Sequence, residues 1–339
     1  MRPGKLSAPT TGAAETRQLR KAAARQPCSN RGYLVADSTS GATQGQKSSF
    51  DGLYDRDDPV HYFTTLRRFD YRTPAHAQPI FRRCVSQLRQ LRGGARISIL
   101  DLCCGYGVNA ALINHDLTLD DLYHHYGRAA KTAPGARRDV DRRFFRMRRR
   151  SAETSRMIGL DIAAHALSYA RQVDLLDEAL AVNLESDTLT TAQRAAIAEA
   201  DLVTVTGGLS YIGVRTFLQV LSAFPPSRRP WVAFFPLRHM DSRSLTALFR
   251  SHGMVTEAWE DRGFKHREFT DAGEREALID LIDDEADPLQ APPSQKWIEA
   301  VFHLARPRRE AAVSPLSRIV EGPAGPRGTT GDTAWSSQG

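Results

Sequence analysis

Residues 97–109 read ISILDLCCGYGVN, an apolar run that ends in Asp101 and passes into a turn carrying Gly105 and Gly107. Ile97 to Leu100 predicts a short strand buried on both faces, and Val108 to Ile113 predicts the start of a helix. Glycines at such a turn permit backbone conformations and close approaches that a side chain would obstruct. In an open parallel sheet, ligands bind beyond the carboxyl ends of the strands, so the turn at 101–107 is expected to receive a nucleoside-type cofactor.

Strand and helix patterns alternate onward from this turn. Met157 to Asp161 predicts a second strand ending in an acid, followed by a compact helix from Ala163 to Ala170. Further strands are expected at Ala179–Leu184, Asp201–Thr206, Trp231–Phe235, Met254–Trp259 and Trp297–Leu304. Helices are expected between them at Ala192–Glu199, Ser242–Arg250 and the acidic stretch Glu274–Glu285. Such alternation is the mark of an α/β sheet covered on both faces. Upstream, Ile80, Phe81, Cys84, Val85, Leu88 and Leu91 share one helical face that stops at Gly93-Gly94, so residues 48–96 read as a helical lead-in or lid. Residues 114–155 read as an insertion after the first turn, and 97–306 as the main domain.

The formal charge of +7 is carried mostly by the N-terminal segment, residues 1–47, which holds 8 Lys or Arg against 2 Asp or Glu. Both 1–47 and 307–339 are rich in Pro, Gly, Ser and Thr, and are expected to be tails that cannot repay the entropy of ordering. The body between them carries 34 charges of each sign, which weakens a nucleic-acid reading drawn from overall charge. Inside it, Arg128–Arg150 holds ten basic and two acidic residues, whereas Glu257–Asp287 holds twelve acidic and four basic. These read first as solvated or mutually neutralising surfaces; nucleic acid is the weaker reading, carried by residues 137–150. The four cysteines form no disulfide framework and no metal-ligand spacing, so no metal is expected. With no apolar run long enough to span a bilayer and no secretory signal, the cytoplasm is the expected location and no membrane partner is expected.

Asp161 stands where a carboxylate accepts the hydroxyls of a ribose, and Ile162 beside it is placed to cover an adenine face. The glycine turn lacks the third glycine of a dinucleotide fingerprint, having Ala110 there, and Asp101 would repel a pyrophosphate but suits a cationic amino group. Here the chain resembles the class I S-adenosylmethionine-dependent methyltransferases. The resemblance rests on LDLCCGYG at 100–107, IGLDIAAHALSYA at 158–170, AVNLES at 181–186 and ADLVTVTGGLSYI at 200–212. It implies a seven-stranded, mostly parallel Rossmann-like methyltransferase sheet whose last strand runs antiparallel. It also implies S-adenosyl-L-methionine as cofactor, with Asp101, Cys103, Gly105, Gly107, Asp161, Ile162, Leu184, Glu185, Thr206 and Gly207 as binding residues.

Methyl transfer from a sulfonium needs a nucleophile held behind the methyl carbon, and a base only where the acceptor sheds a proton. Tyr211 and His239, after the fourth and fifth strands, are the expected catalytic residues; Tyr54 and Tyr62 in the lead-in are the expected substrate-binding ones, with His124 or His125 as further candidates. The fourth motif has Thr206-Gly207-Gly208-Leu209 rather than the Pro-Pro turn of amino-directed DNA methyltransferases. The expected substrate is therefore a small molecule methylated on O or N, and beside the resemblance a branch of bacterial secondary metabolism is the expected setting. The competing readings are an RNA or protein methyltransferase docking through the insertion, a non-catalytic methyltransferase-like partner subunit, and a nicotinamide-dependent reductase.

Overall fold

A computed structural model describes residues 55–129, 134–150, 154–284 and 296–321. The strands are β1 (Ser98–Leu102), β2 (Arg156–Asp161), β3 (Glu178–Ala181), β4 (Leu202–Thr206), β5 (Trp231–Phe235), β6 (Met254–Glu268) and β7 (Trp297–Pro307). They form one sheet in the order β3-β2-β1-β4-β5-β7-β6, in which β7 alone runs antiparallel to its neighbours. The order reverses between β1 and β4, and a crevice opens there beyond the strand ends.

Helices cover both faces because successive strand residues point to opposite sides. The lead-in supplies α1 (Val60–Arg68) and α2 (Thr73–Leu91), and Gly107, at φ 77°, opens α3 (Val108–Asn114). With the insertion helices α4 (Leu119–Ala129) and α5 (Pro134–Arg146), and with α6 (Ala164–Gln172), these belong to the face that buries Ile99, Leu202, Trp231 and Phe235. On the other face α7 (Thr191–Ile197), α8 (Val214–Ser222) and α9 (Arg243–Ser251) bury Leu100, Leu102, Val203, Val205 and Phe234. A capping box at Thr190 and Gln193 starts α7. The acidic stretch forms α10 (Ala272–Asp284).

The insertion is tied to its surroundings from within. Phe63 of α1 stacks flat on Tyr126 of α4, with ring centroids 4.4 Å apart. The fully buried Asp141 accepts a 2.8 Å hydrogen bond from the Tyr169 hydroxyl and lies 2.6 Å from His125 Nε2. Arg137, also buried, pairs with Asp58 at 2.7 Å, and Arg142 donates to the Gln172 carbonyl at the end of α6. Two of the arginines expected to offer a docking surface thus have internal partners.

Two expectations are corrected. The tail expected from residue 307 instead begins with α11 (Arg308–Val313) and α12 (Leu316–Val320), with Ile319 and Val320 buried. Leu316, Ile319 and Val320 share one helical face; Arg83 caps the Val320 carbonyl at 2.9 Å, and Glu310 accepts the Trp231 indole N–H at 2.6 Å. That burial and pairing offset the ordering entropy that composition alone suggested would win. The sixth strand was expected to stop at Trp259 but continues to Glu268, since register shifts between Ala258 and Gly263 and between Lys265 and Arg267 break its alternation. The segments expected to be tails at 1–47 and beyond 321, together with Tyr54, lie outside the described residues. Among the described residues no helix is long and apolar enough to cross a membrane.

Candidate active site

A cavity of about 480 Å³ opens beyond the carboxyl ends of β1, β2 and β4. One half follows the sheet edge: Cys103 after β1, Asp161 and Ile162 after β2, Leu184 and Glu185 after β3, and Thr206 with Gly207 after β4 all line it. The other half is walled by Tyr62 and Leu66 of α1, Tyr71, Leu237 and His239 after β5, and His266 and Arg267 from the extension of β6.

Asp161 accepts the backbone N–H of Gly105 at 2.8 Å and that of Ala163 at 2.9 Å. Each carboxylate oxygen retains lone-pair capacity for a ligand hydroxyl. Burial raises its pKa, opposed by those backbone donors. Gly105 thus contributes its N–H to Asp161, and Gly107 its left-handed backbone at the start of α3; neither lies in the cavity lining. Ile162 is 69% exposed at the rim, an apolar surface open to a planar group.

Asp101 is turned away from the cavity. Its side chain is fully buried on the α3 side, where Oδ1 accepts from Asn109 at 2.8 Å and from the Thr204 hydroxyl at 2.6 Å. Asn109 continues to the Thr206 hydroxyl at 3.0 Å, so Asp101 anchors both sides of the crevice. Its Oδ2 is buried and has no hydrogen-bond partner among the described residues, and desolvation pushes its pKa up to about 7. Glu185 is likewise committed to structure, since Oε1 accepts from the Thr216 hydroxyl at 2.6 Å and from Gly213 N–H at 2.8 Å.

Cys103 occupies the left-handed region at φ 53°, uncommon for a residue with a side chain. Its neighbour across the crevice is Gly208, where an added Cβ would lie 2.6 Å from Cys103 Cβ. Gly207, at φ +70°, faces the Tyr71 hydroxyl, which would be 2.5 Å from such a Cβ. The double glycine after β4 therefore makes room for Cys103 on one side and Tyr71 on the other.

His239 lines the second half, and desolvation lowers its pKa to about 4. Tyr211 lines the mouth at 42% exposure, and Tyr62 is buried in the wall with its ring 5.3 Å from that of Tyr106. His124 is exposed and His125 is held by Asp141, both away from the cavity lining. Asp55, Tyr71 and His266 also line the cavity, none of them marked by a local sequence pattern. Tyr71 lies between two helices with no periodic signal, and His266 lies in the stretch beyond the strand's expected end. Asp55 belongs to a strap pinned by the His165 backbone N–H, which it accepts at 2.7 Å, and by the neighbouring Asp58–Arg137 pair. Among the described residues no group of His, Cys, Asp or Glu is arranged to hold a metal ion.

A 3-2-1-4-5-7-6 sheet with an antiparallel β7, carrying a glycine turn after β1 and an acid after β2, decides the architecture. The chain has the class I methyltransferase fold. Comparison with protein-family models and with curated proteins by sequence gave no match. Among solved structures it is similar to the plantazolicin methyltransferase BpumL in complex with SAH, at 12% identity and a TM-score of 0.39, covering 86% of this chain and 99% of that one. It is also similar to the magnesium protoporphyrin IX methyltransferase ChlM from Synechocystis PCC 6803 with bound SAM, at 11% identity and a TM-score of 0.31, covering 89% and 100%. A third is the precorrin-6y C5,15-methyltransferase from Geobacter metallireducens GS-15, at 10% identity and a TM-score of 0.31, covering 66% and 86%.

Proposed function

We propose that the chain is an S-adenosylmethionine-dependent methyltransferase acting on an oxygen or nitrogen of a small molecule. The observation that carries this reading is that one cavity takes its lining from two chemically different sources, a carboxylate and apolar rim at the strand ends and an aromatic and histidine wall from the lead-in and the later strands. The rim fits the cofactor: Asp161 has accepting capacity for ribose hydroxyls, Ile162 and Leu184 offer apolar surface to an adenine, and Gly207 exposes bare backbone. When bound, the cofactor supplies an electrophilic methyl group on sulfur.

The protein's part is to position and to remove a proton. Tyr62, Leu66, Tyr71 and Leu237 form a wall that holds an acceptor against the rim and excludes water, the positioning that accounts for much of the rate gain in such transfers. His239 lines the cavity where it would take the proton that a hydroxyl acceptor sheds on methylation by the bound cofactor. With its pKa near 4, His239 is a free base throughout the neutral range. An oxygen that has just gained a methyl group is a strongly acidic oxonium, so a base this weak suffices for a hydroxyl acceptor, whereas a methylated amine keeps its proton as an ammonium and needs no base.

Calorimetry with S-adenosylmethionine, S-adenosylhomocysteine and nicotinamide cofactors tests the cofactor assignment. The first two are expected to bind, and Asp161→Ala to weaken them by roughly 10- to 100-fold, the size expected for hydrogen bonds to a charged group, without loss of the folded state. Undiminished affinity in a folded Asp161→Ala protein rejects the assignment. A screen of phenols, amines and carboxylates with labelled methyl donor then identifies the acceptor.

A further inference from the structure

His266 is the extra residue of a β-bulge. Lys265 pairs with Glu299 and Arg267 with Ile298, which leaves His266 between them without a partner on β7. Bulges of this kind redirect a side chain out of its strand's alternation, and here the ring is directed into the cavity beside Gly207, whose added Cβ would lie 3.5 Å from His266 Cε1. The lead-in holds the bulge in place, with Arg72 N–H donating to the His266 carbonyl at 2.8 Å and Glu268 N–H to the Phe69 carbonyl at 2.7 Å. The Lys265–Asp70 ion pair at 2.6 Å closes the same junction.

The ring's tautomer follows from its partner. Nδ1 lies 2.8 Å from the hydroxyl of Thr73, the first residue of α2, which is fully buried. That hydroxyl must place its proton somewhere, and among the described residues its one hydrogen-bond partner is His266 Nδ1. Thr73 therefore donates, Nδ1 accepts, and in a neutral imidazole the proton resides on Nε2. The ring is neutral because desolvation first, then Arg267 and His239, lower its pKa to about 3. His266 lines the cavity, and with Nδ1 taken up by Thr73 its other ring nitrogen, Nε2, is the one left to meet a ligand.

We propose that His266 is a positioning residue for the acceptor, donating a hydrogen bond from Nε2 to a lone pair of the substrate while Thr73 fixes its tautomer. The proposal rests on the methyltransferase reading and narrows its substrate class. The acceptor carries an oxygen or nitrogen lone pair within reach of His266, in addition to the atom that surrenders its proton to His239. A compound whose only polar group is an ammonium does not meet this requirement. Within one cavity the two histidines are complementary, His266 a donor and His239 a proton acceptor.

The test uses the full chain with ¹⁵N-labelled histidine at neutral pH, the His266 signals being assigned by their loss in His266→Gln. A protonated Nε2 and an unprotonated Nδ1 are expected, with the unprotonated assignment lost in Thr73→Val and retained in Thr73→Ser. In turnover with the acceptor returned by the labelled-methyl screen, Thr73→Val is expected to raise the acceptor KM about tenfold and to leave S-adenosylmethionine affinity within twofold. Thr73→Ser is expected to restore the acceptor KM. A protonated Nδ1 in the unmodified chain overturns the proposal, as does an unchanged KM in Thr73→Val once its tautomer has shifted. Absence of cofactor binding would instead overturn the methyltransferase reading, and the tautomer measurement, which needs no methyl donor, separates the two failures.

Discussion

The two halves of the cavity are built in different ways. The proposed cofactor half comes from short loops that each follow a strand, so Cys103, Asp161, Leu184 and Thr206 reach the rim from neighbouring strands of one sheet. The proposed acceptor half comes from parts distant in sequence: Tyr71 and His266 meet through a lead-in and a bulged strand nearly two hundred residues apart, held by Arg72, Lys265 and Glu268. A rim made by the sheet recurs wherever the sheet recurs. A wall made by additions is free to vary, and the proposed acceptor chemistry belongs to it.

Mutations in the two halves are expected to affect different measurements. The largest effect is expected for His239→Ala, which should lower kcat roughly 10²- to 10⁴-fold with a hydroxyl acceptor while cofactor affinity persists. In the unmodified chain the activity governed by His239 should fall only as pH drops toward about 4, where the ring gains its proton, and that acid limb should vanish in the variant. Equal losses of turnover and cofactor affinity would break the division.

A smaller effect is expected where the halves share a support. Arg137 is buried and Asp58 is partly exposed, so Arg137→Met leaves a carboxylate that regains water, and the expected cost is about 1–2 kcal/mol, below that of a fully buried pair. Thermal unfolding should register this as a Tm lower by roughly 2–8 °C. Because Asp55 lies on the same strap and lines the cavity, cofactor affinity should fall as well. A stable variant with full affinity would show that the insertion does not support the strap.

A last effect, on pH dependence, concerns Asp101. Its folded pKa is raised to about 7 from an ordinary 3.8, so its favourable contribution is complete below pH 3.8 and is lost as pH rises through about 7. Urea unfolding between pH 5 and pH 8 should show this decline in the unmodified chain and a flatter profile in Asp101→Asn. Parallel profiles would show that the buried carboxyl does not titrate in that window.

How much of the molecule the sequence shows follows from the same physics. The strands around Asp101 and Asp161 are continuous apolar runs, and the turn between β1 and α3 needs glycine, so these elements are local and legible. Asp101 was legible as a position but not as a role: strand alternation turns its side chain toward Thr204 and Asn109 rather than toward the ligand space. Alternation breaks at the β6 bulges, which hid His266 within an acidic stretch. The helix at Leu316–Val320 carried a short apolar spacing that composition outweighed.

The sequence by itself determined the alternating strands and helices, the glycine turn and the acid that follows the second strand, because each depends on neighbours a few residues away. Only the tertiary structure decided which carboxylate faces the cavity, that the basic insertion pins a strap through Arg137, and that Thr73 and His266 meet. Those outcomes depend on side chains brought together across the fold, and the direction in which each one points is set by packing rather than by its place in the chain.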